Sequence, residues 1–295
     1  MVLVIEFFLT FLRGRCRLYP IFRSQGGTTV TMKILKITFF SLLICFVFYV
    51  SFNHVEAEIT KEDIVAVWLF DDGSGSILKD SSGNGNDGKL IEGPTWVNGK
   101  FGKALKFDSK KKHRVKVENS DSLNLTDQIS ILAWGFVSDK AGNRRFLQKS
   151  TPGSDNQYRL LREGGFFRFD AGPGVSNSRV QSNMFKDNEW HHVAGIYDGK
   201  TTAIYIDAKQ TASQKSTGKM QPSDGPIFIG TKHPDAPEGD YWMGMIDEVA
   251  IINRAVTTAE LSQAMKGFDK ILNSGTAVDA RGKAATIWGQ IKSSY

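Results

Sequence analysis

The chain has 295 residues, of which 41% are hydrophobic and 23% are charged, and its formal net charge at pH 7 is +6. This composition excludes a wholly disordered chain, a collagen and a disulfide-rich scaffold. Both cysteines, Cys16 and Cys45, lie in the first 50 residues, so the rest of the chain has no thiolate metal site and no cysteine nucleophile.

The excess of basic residues belongs mostly to the N-terminal segment. Residues 1–57 carry six Lys and Arg against two Glu, which leaves 31 basic and 29 acidic residues in the remainder. A nearly neutral body provides no electrostatic argument for binding nucleic acid, and we expect no nucleic-acid partner.

Residues 32–57 have the features of a secretory signal peptide. Two lysines precede an apolar run at 37–52, and small residues flank Glu56 at positions −3 and −1 of a cleavage site. Because the run is shorter than the roughly 20 residues that span a membrane, we predict cleavage and a secreted, extracellular or periplasmic protein. An uncleaved membrane anchor is the alternative. Residues 1–31 are interpreted as an upstream extension or a start-site artefact.

Residues 58–265 are predicted to be β-structure almost throughout. Short apolar-rich segments alternate with clusters of Gly, Asn, Asp and Pro, which is typical of an antiparallel sandwich or barrel. Segment 129–137 is apolar on both faces and is therefore expected in the interior of a sheet. The predicted strands are 66–70, 104–107, 114–117, 129–137, 166–169, 191–197, 202–206, 226–230 and 245–252.

One helix is predicted near the C-terminus. Thr257 and Glu260 fit a capping box with Thr257 as the N-cap, and Leu261, Ala264 and Met265 follow at helical spacing. Residues 266–295 are interpreted as a polar tail. The expected fold class is all-β: a two-sheet antiparallel sandwich, or jelly roll, with one short C-terminal helix.

Seven motifs in the body occur in the order and spacing of a known family. Together they resemble the LamG-like jelly-roll domains of the concanavalin A-like lectin/glucanase superfamily over about residues 64–262. The resemblance implies a non-catalytic module of secreted proteins that often carries calcium and is associated with glycan binding or adhesion. The motifs are Val67–Gly75, Asp80–Gly88, Gly99–Leu105, Ser122–Leu125, Ile131–Trp134, Glu189–Ala194 and Gly244–Val249.

Hard oxygen donors are concentrated in the Gly-rich loops of this body. Together with the resemblance, they predict a structural calcium ion held by Asp72, Asp80, Asn84 and Asp247, which would tie the loops of the first strand to the last strand. The alternative is ordinary turn chemistry, because Asn-Gly and Asp-Gly pairs are common hairpin signals.

Two further groups of residues are candidate ligand contacts. The basic run at 110–114 stands where the family often has acidic residues, and it predicts that Lys111 and Arg114 hold a sulfated or uronic-acid glycan. A solvated loop is the alternative interpretation of this run. Tyr158 and Tyr241 occur in loop-like segments and are predicted to stack on sugar rings.

Catalysis is disfavoured by the arrangement of the carboxylates. A retaining glycosidase needs two of them about 5 Å apart. The nearest pair is Asp247-Glu248, and neighbouring strand residues point to opposite faces. We therefore predict a binding module that recognises a glycan and has no chemistry of its own. A structural or adhesive module that binds an extracellular protein is the second hypothesis, and a glycan-cleaving enzyme is the third.

Overall fold

The computed structural model describes residues 3–12, 15–24, 58–138, 142–151, 157–234 and 240–273. The chain divides into two compact units, Met1–Glu56 and Ala57–Tyr295. In the first unit, strands β1 (Leu3–Leu12) and β2 (Arg15–Ser24) form an antiparallel hairpin. The predicted signal peptide lies outside the described residues. Among the helices that the structure describes, none has the length and apolar character needed to cross a membrane.

The second unit consists of two antiparallel sheets, each with eight strands. The first sheet has the order β17-β16-β15-β9-β20-β7-β6 with β3 also paired to β20, and the second has the order β14-β12-β11-β10-β19-β8-β5-β4. In chain order the strands are β3 (Ile64–Trp68), β4 (Ile77–Leu78), β5 (Gly88–Ile91), β6 (Thr95–Asn98), β7 (Lys103–Phe107), β8 (Arg114–Val117), β9 (Ile129–Val137), β10 (Arg144–Lys149), β11 (Tyr158–Glu163), β12 (Phe166–Asp170), β13 (Val175–Ser176), β14 (Arg179–Met184), β15 (Trp190–Tyr197), β16 (Thr201–Ile206), β17 (Lys209–Lys215), β18 (Thr217–Gly218), β19 (Ile227–Ile229) and β20 (Gly244–Ile252).

This architecture confirms the predicted two-sheet sandwich. Each of the nine predicted strands is present, and β13 and β18 form a further small sheet beside the two large ones. Strand β9 lies between β15 and β20, as its two apolar faces predicted. Its residues Ile129, Ile131 and Ala133 are fully buried in the core, which also contains Trp68 and Phe169.

A second apolar cluster covers the outer face of the first sheet. Helix α1 (Thr258–Ala264) contributes Leu261 and Ala264 to this cluster, and the sheet contributes Val67, Leu132 and Ala250. The first sheet therefore has apolar neighbours on both faces. The second sheet differs, because its outer face carries charged side chains that line a cleft.

The N-terminus of α1 has the predicted capping box. The Oγ1 atom of Thr257 accepts a hydrogen bond from the Glu260 amide at 3.2 Å, and Oε2 of Glu260 accepts one from the Thr257 amide at 2.7 Å. Arg254 also donates to Oε1 of Glu260 at 2.6 Å, which holds the start of the helix against the sandwich.

Substitution of Thr257 by Ala is expected to lower the free energy of unfolding by about 1 kcal/mol, because an amide at the helix N-terminus loses its acceptor. Urea denaturation measures this change. Thr258→Ala is the matched control, since Thr258 is the exposed first residue of the helix and its side chain caps nothing. Equal loss in the two variants would contradict the capping role.

Candidate functional site

The outer face of the second sheet carries four arginines on four adjacent strands. Strand β12 buries Phe167 and Phe169 in the core, and alternation therefore directs Arg168 and Asp170 outward. We call the following group the arginine face: Arg145 on β10, Arg159 on β11, Arg168 and Asp170 on β12, and Arg179 on β14.

Strand register aligns these side chains in two neighbouring rows. One row runs Gln148, Arg159, Asp170, Arg179, and the other runs Arg145, Leu161, Arg168, Gln181. Adjacent strands lie about 4.8 Å apart, so each row crosses roughly 14 Å of the sheet.

Asp170 is the shared acceptor of this face. Its carboxylate accepts from Nε and Nη2 of Arg168 at 3.1 and 2.8 Å, from Nε of Arg179 at 3.3 Å, and from Nε of Arg159. Burial raises the pKa of Asp170, but the hydrogen bond from Arg168 and the charges of Arg159 and Arg168 outweigh it, and the pKa is lowered overall. Asp170 is therefore ionised at neutral pH.

Arg145 supplies a buried positive charge to the same face. Its Nη2 pairs with Asp240 at 2.8 Å and its Nε donates to Gln148 at 3.0 Å, whereas its buried Nη1 has no hydrogen-bond partner among the described residues. Burial lowers the pKa of Arg145 to about 10, and the neighbouring charges of Arg159 and Arg168 act in the same direction against the attraction of Asp240. Arg145 stays protonated at neutral pH.

A cleft of about 500 Å³ opens on the arginine face. Arg159, Asp170 and Arg179 line it together with Gln214 and with one wall formed by Gly172, Pro173, Val175, Asn177 and Ser178. The Nε2 atom of Gln214 donates to the carbonyl oxygens of Asn177 and Arg179, which joins β17 to this wall.

The segment 172–178, which forms one wall of the cleft, requires glycine at position 174. Gly174 has a φ of +84°, and a Cβ atom there would lie 2.1 Å from the carbonyl oxygen of Lys219. Any other residue at position 174 would push this segment away from the segment that contains Lys219.

The far end of the arginine face is apolar. Phe166 pairs with Met184 on β14 and with Glu163 on β11, and all three point outward because Phe167 points into the core. Phe166 is half-buried and Met184 is 74% exposed. The face thus combines hydrogen-bond donors with an apolar platform.

Neither predicted sugar-stacking tyrosine is available to a ligand. Tyr158 is the first residue of β11, has no exposed surface, and donates from its hydroxyl to the carbonyl of Leu123 at 3.0 Å. Tyr241 is only 8% exposed. The prediction that these rings stack on sugars from loops is wrong, because the strand direction turns Tyr158 into the core and Tyr241 is packed against the protein.

Lys111 and Arg114 lie away from the cleft. Lys111 is exposed in the turn between β7 and β8, and Arg114 begins β8 with its guanidinium donating to the carbonyl of Lys112 at 2.9 Å. Arg114 points outward on the second sheet, but β19 and β10 separate β8 from the strand of Arg159. Ligand contact by Lys111 and Arg114 stays a prediction.

The polar side chains of the first Gly-rich loop bond the backbone around them. Oδ1 of Asp80 accepts from the amides of Val67 and Ser82, both at 3.0 Å, and Oδ2 accepts from the Asn86 amide at 3.0 Å. Nδ2 of Asn84 donates to the carbonyl of Ile64 at 2.9 Å. These bonds are turn chemistry, the alternative to calcium ligation.

Asp72 and Asp247 are also engaged by backbone amides. Oδ2 of Asp72 accepts from Lys79 at 3.1 Å, and Oδ2 of Asp247 accepts from Lys100 and Phe101 at 2.9 and 3.0 Å. Oδ1 of Asp247 is buried and lacks a partner in the described part of the chain.

The three predicted carboxylate ligands of calcium are not grouped in one cluster. In the described ranges, no three His, Cys, Asp or Glu side chains are arranged to hold a metal ion. Asp72, Asp80 and Asp247 therefore do not converge, because each serves the backbone of its own neighbourhood. Calcium binding itself stays a prediction that only a binding experiment tests.

Asp247 and Glu248 are neighbouring acidic residues that are both buried. Burial raises the pKa of Asp247 to about 7, and burial together with the charge of Asp247 raises the pKa of Glu248 to about 8. Oε2 of Glu248 accepts from the Phe268 amide at 3.0 Å, whereas Asp247 bonds the loop at Lys100. The two carboxyl groups therefore accept hydrogen bonds from different segments of the chain.

Comparison with protein families identifies the class of this sandwich. Residues 109–262 match the Laminin_G_3 family of the concanavalin A-like lectin/glucanases superfamily, which covers more than half of the chain. The chain belongs to this family. The predicted resemblance is thereby confirmed, and the matched residues of this lectin-like jelly roll include the entire arginine face. A comparison with curated protein sequences finds no match.

Solved structures share the lectin-like jelly roll at low identity. Domain 4 of AbnA, an extracellular arabinanase from Geobacillus stearothermophilus solved with arabinotriose, superimposes with a TM-score of 0.55 at 16% identity, over 68% of this chain and 97% of that domain. The binding domain of Paraclostridial Mosquitocidal Protein 1 gives 0.55 at 15%, over 70% and 53%. Trypanosoma rangeli sialidase with sialic acid gives 0.56 at 15%, over 73% and 34%. These similarities establish the fold alone.

The arginine face is the set of candidate residues that sequence reasoning missed. A signal was present in Phe166-Phe167-Arg168-Phe169-Asp170, where charged residues alternate with buried aromatics. The partners on β10, β11 and β14 become neighbours only through strand pairing, which the sequence does not display.

Proposed function

We propose that the LamG-like unit is a non-catalytic glycan-binding module whose ligand lies in the cleft of the arginine face. The observation that carries the proposal is the difference between the two sheets. The first has an apolar cluster on its outer face, whereas the second presents charged donors and a cleft of about 500 Å³. Domain 4 of AbnA was solved with arabinotriose, which supports a carbohydrate ligand for this fold.

The chemistry of the face suits a sugar ring. Carbohydrates present hydroxyl groups at the ring edge and C–H groups on the ring face, so their sites combine polar donors with aromatic surface. Arg159 and Arg179 supply donors at one end of the face, and Phe166 with Met184 supplies apolar surface at the other.

The carboxylates near the cleft support binding without hydrolysis. Asp170 is the only carboxylate among the described residues that line the cleft, and its lowered pKa makes it a poor proton donor. Glu163, a second acidic residue on the face, is paired with Arg168 at 2.7 Å. A glycosidase needs one carboxyl group that keeps its proton and a second that does not.

A glycan array probed with the full-length chain tests this proposal. We expect binding to a defined class of glycan, with affinity lowered about tenfold in Phe166→Ala, because stacking on an aromatic ring is lost. Lys106→Ala is the control, since Lys106 is exposed on β7 of the first sheet. Equal binding by Phe166→Ala and the unmodified chain would show that the ligand does not extend from the cleft to the apolar end of the face.

Absence of binding to every glycan would overturn the proposal and favour the adhesive module that contacts a protein. Cleavage of any arrayed glycan would instead favour the enzyme.

One further proposal accompanies the module. Secretion is tested by N-terminal sequencing of the exported protein, which is expected to begin at Glu58.

A further inference from the structure

The charged side chains of the arginine face do not balance. Four guanidinium groups, those of Arg145, Arg159, Arg168 and Arg179, face three carboxylates, those of Asp170, Asp240 and Glu163. Among the residues that the structure describes, one positive charge is left over. Arg145 is buried and Arg168 bonds two of the carboxylates, so the accessible part of this excess lies with Arg159 and Arg179 at the cleft.

Asp170 orients the two cleft arginines. It accepts from Nε of Arg159 and from Nε of Arg179, and the Nη groups of both arginines make no hydrogen bond to the residues that the structure describes. Holding a guanidinium by its Nε leaves its two Nη groups as a planar fork. The side chain of Arg179 is 64% exposed and that of Arg159 is 18% exposed, so a ligand has access to the forks.

We infer that the cleft selects a sugar residue that carries a carboxylate, such as a uronic acid, and that the Nη groups of Arg159 and Arg179 bind this carboxylate. The inference rests on the proposed function and names its ligand class. A carboxylate has two oxygens in one plane, which match the guanidinium fork, and its single negative charge equals the excess on the face.

Arg145 assists this selection without contacting the ligand. Its guanidinium lies in the neighbouring row, is 8% exposed, and stays charged because its pKa is lowered only to about 10. A buried charge is screened less by water than an exposed one, so it strengthens the attraction for an anion in the cleft.

The test compares paired ligands that differ only in the carboxyl group. Full-length protein is titrated with uronic acid oligosaccharides, with their carboxyl-reduced counterparts and with sulfated oligosaccharides of the same length. We expect at least tenfold weaker binding after carboxyl reduction, and an affinity for the uronic acid ligand that falls as NaCl is raised.

Variants assign the effect to the cleft. Arg179→Met is expected to weaken uronic acid binding at least tenfold and to remove the preference over the carboxyl-reduced ligand. Arg179→Lys keeps the charge but not the fork, and an intermediate affinity is expected. Lys106→Met is the matched control on the first sheet. Arg179 is exposed, so these variants are expected to keep the thermal stability of the unmodified chain.

The outcomes separate this inference from the proposed function. Equal or tighter binding of the carboxyl-reduced ligand would overturn the inference while the glycan-binding module stands. A preference for sulfated over uronic acid ligands would also overturn it. Failure to bind glycans of any class overturns both.

Discussion

Replacement of Asp170 by Ala is expected to lower the free energy of unfolding by about 3–5 kcal/mol. Asp170 is 4% exposed and accepts hydrogen bonds from Arg159, Arg168 and Arg179. Its removal leaves several guanidinium groups close together without their common counter-ion, and an unpaired buried charge is far costlier than a missing surface contact. Urea denaturation at pH 7 measures the change.

Asp127→Ala is the matched control for this substitution. Asp127 is 64% exposed and pairs with Lys219 at 2.7 Å, an ion pair in contact with solvent, and no change in stability is expected. A loss below about 1 kcal/mol in Asp170→Ala would contradict the role of Asp170 as shared counter-ion. The same variant is expected to lose glycan affinity, because Arg159 and Arg179 lose the carboxylate that orients their guanidinium groups.

Raising the pH from 6.5 to 8 is expected to lower the free energy of unfolding by on the order of 2 kcal/mol. Burial raises the pKa of Asp247 to about 7 and that of Glu248 to about 8, from 3.8 and 4.5. The folded protein therefore holds protons that the unfolded chain has released. The stability from these protons is fully present below about pH 4 and is lost as the pH rises through 7 and 8.

Between pH 6.5 and 8, the release of protons from Asp247 and Glu248 is expected to dominate the change in stability. Burial lowers the pKa of His192 from 6.5 to about 4, so its opposite contribution is gained mostly below pH 6.5 and only a small part of it falls between pH 6.5 and 8. Burial also lowers the pKa of Lys149 from 10.5 to about 8, so its contribution, which opposes that of the two acids, begins within this interval and is gained mostly above pH 8. The hydrogen bond from His191 to Asp207 raises the pKa of His191, which acts in the same direction as the two acids.

Thermal melting at pH 6.5 and pH 8 measures the predicted decline. In Glu248→Gln the decline is expected to shrink, because a neutral amide releases no proton at any pH in this interval. Glu118→Gln is the control, since Glu118 is an exposed residue after β8 with its side chain 79% exposed. A melting temperature that is constant or higher at pH 8 would show that the two carboxyl groups are ionised in the folded protein.

The elements predicted from sequence share one property. Strands such as Ile129–Val137 and Arg114–Val117, and the helix that follows Thr257, are specified by local patterns of apolar residues and by a capping box. These patterns report burial directly, because a residue in the core is apolar whichever strand lies next to it.

The strands that were not predicted carry most of the candidate site. Segments β10 (Arg144–Lys149) and β11 (Tyr158–Glu163) are rich in arginine, and their outward charges hide the apolar alternation of the inward residues. The sequence pattern predicts a loop at Tyr158 for the same reason. The polar residues around Tyr158 have the composition of a turn. Pairing with β12 nevertheless makes Tyr158 the first residue of an interior strand.

The sequence by itself determined the family, the two-sheet sandwich and the helix at Thr257, because each depends on residues close together in the chain. Only the tertiary structure decided which charged residues surround the cleft. Arg145, Arg159, Arg168 and Arg179 are distributed over four strands, and register alone aligns them around Asp170. Long-range pairing also decided the partners of Asp247, whose carboxylate accepts from the amides of Lys100 and Phe101, 147 and 146 residues away in the chain.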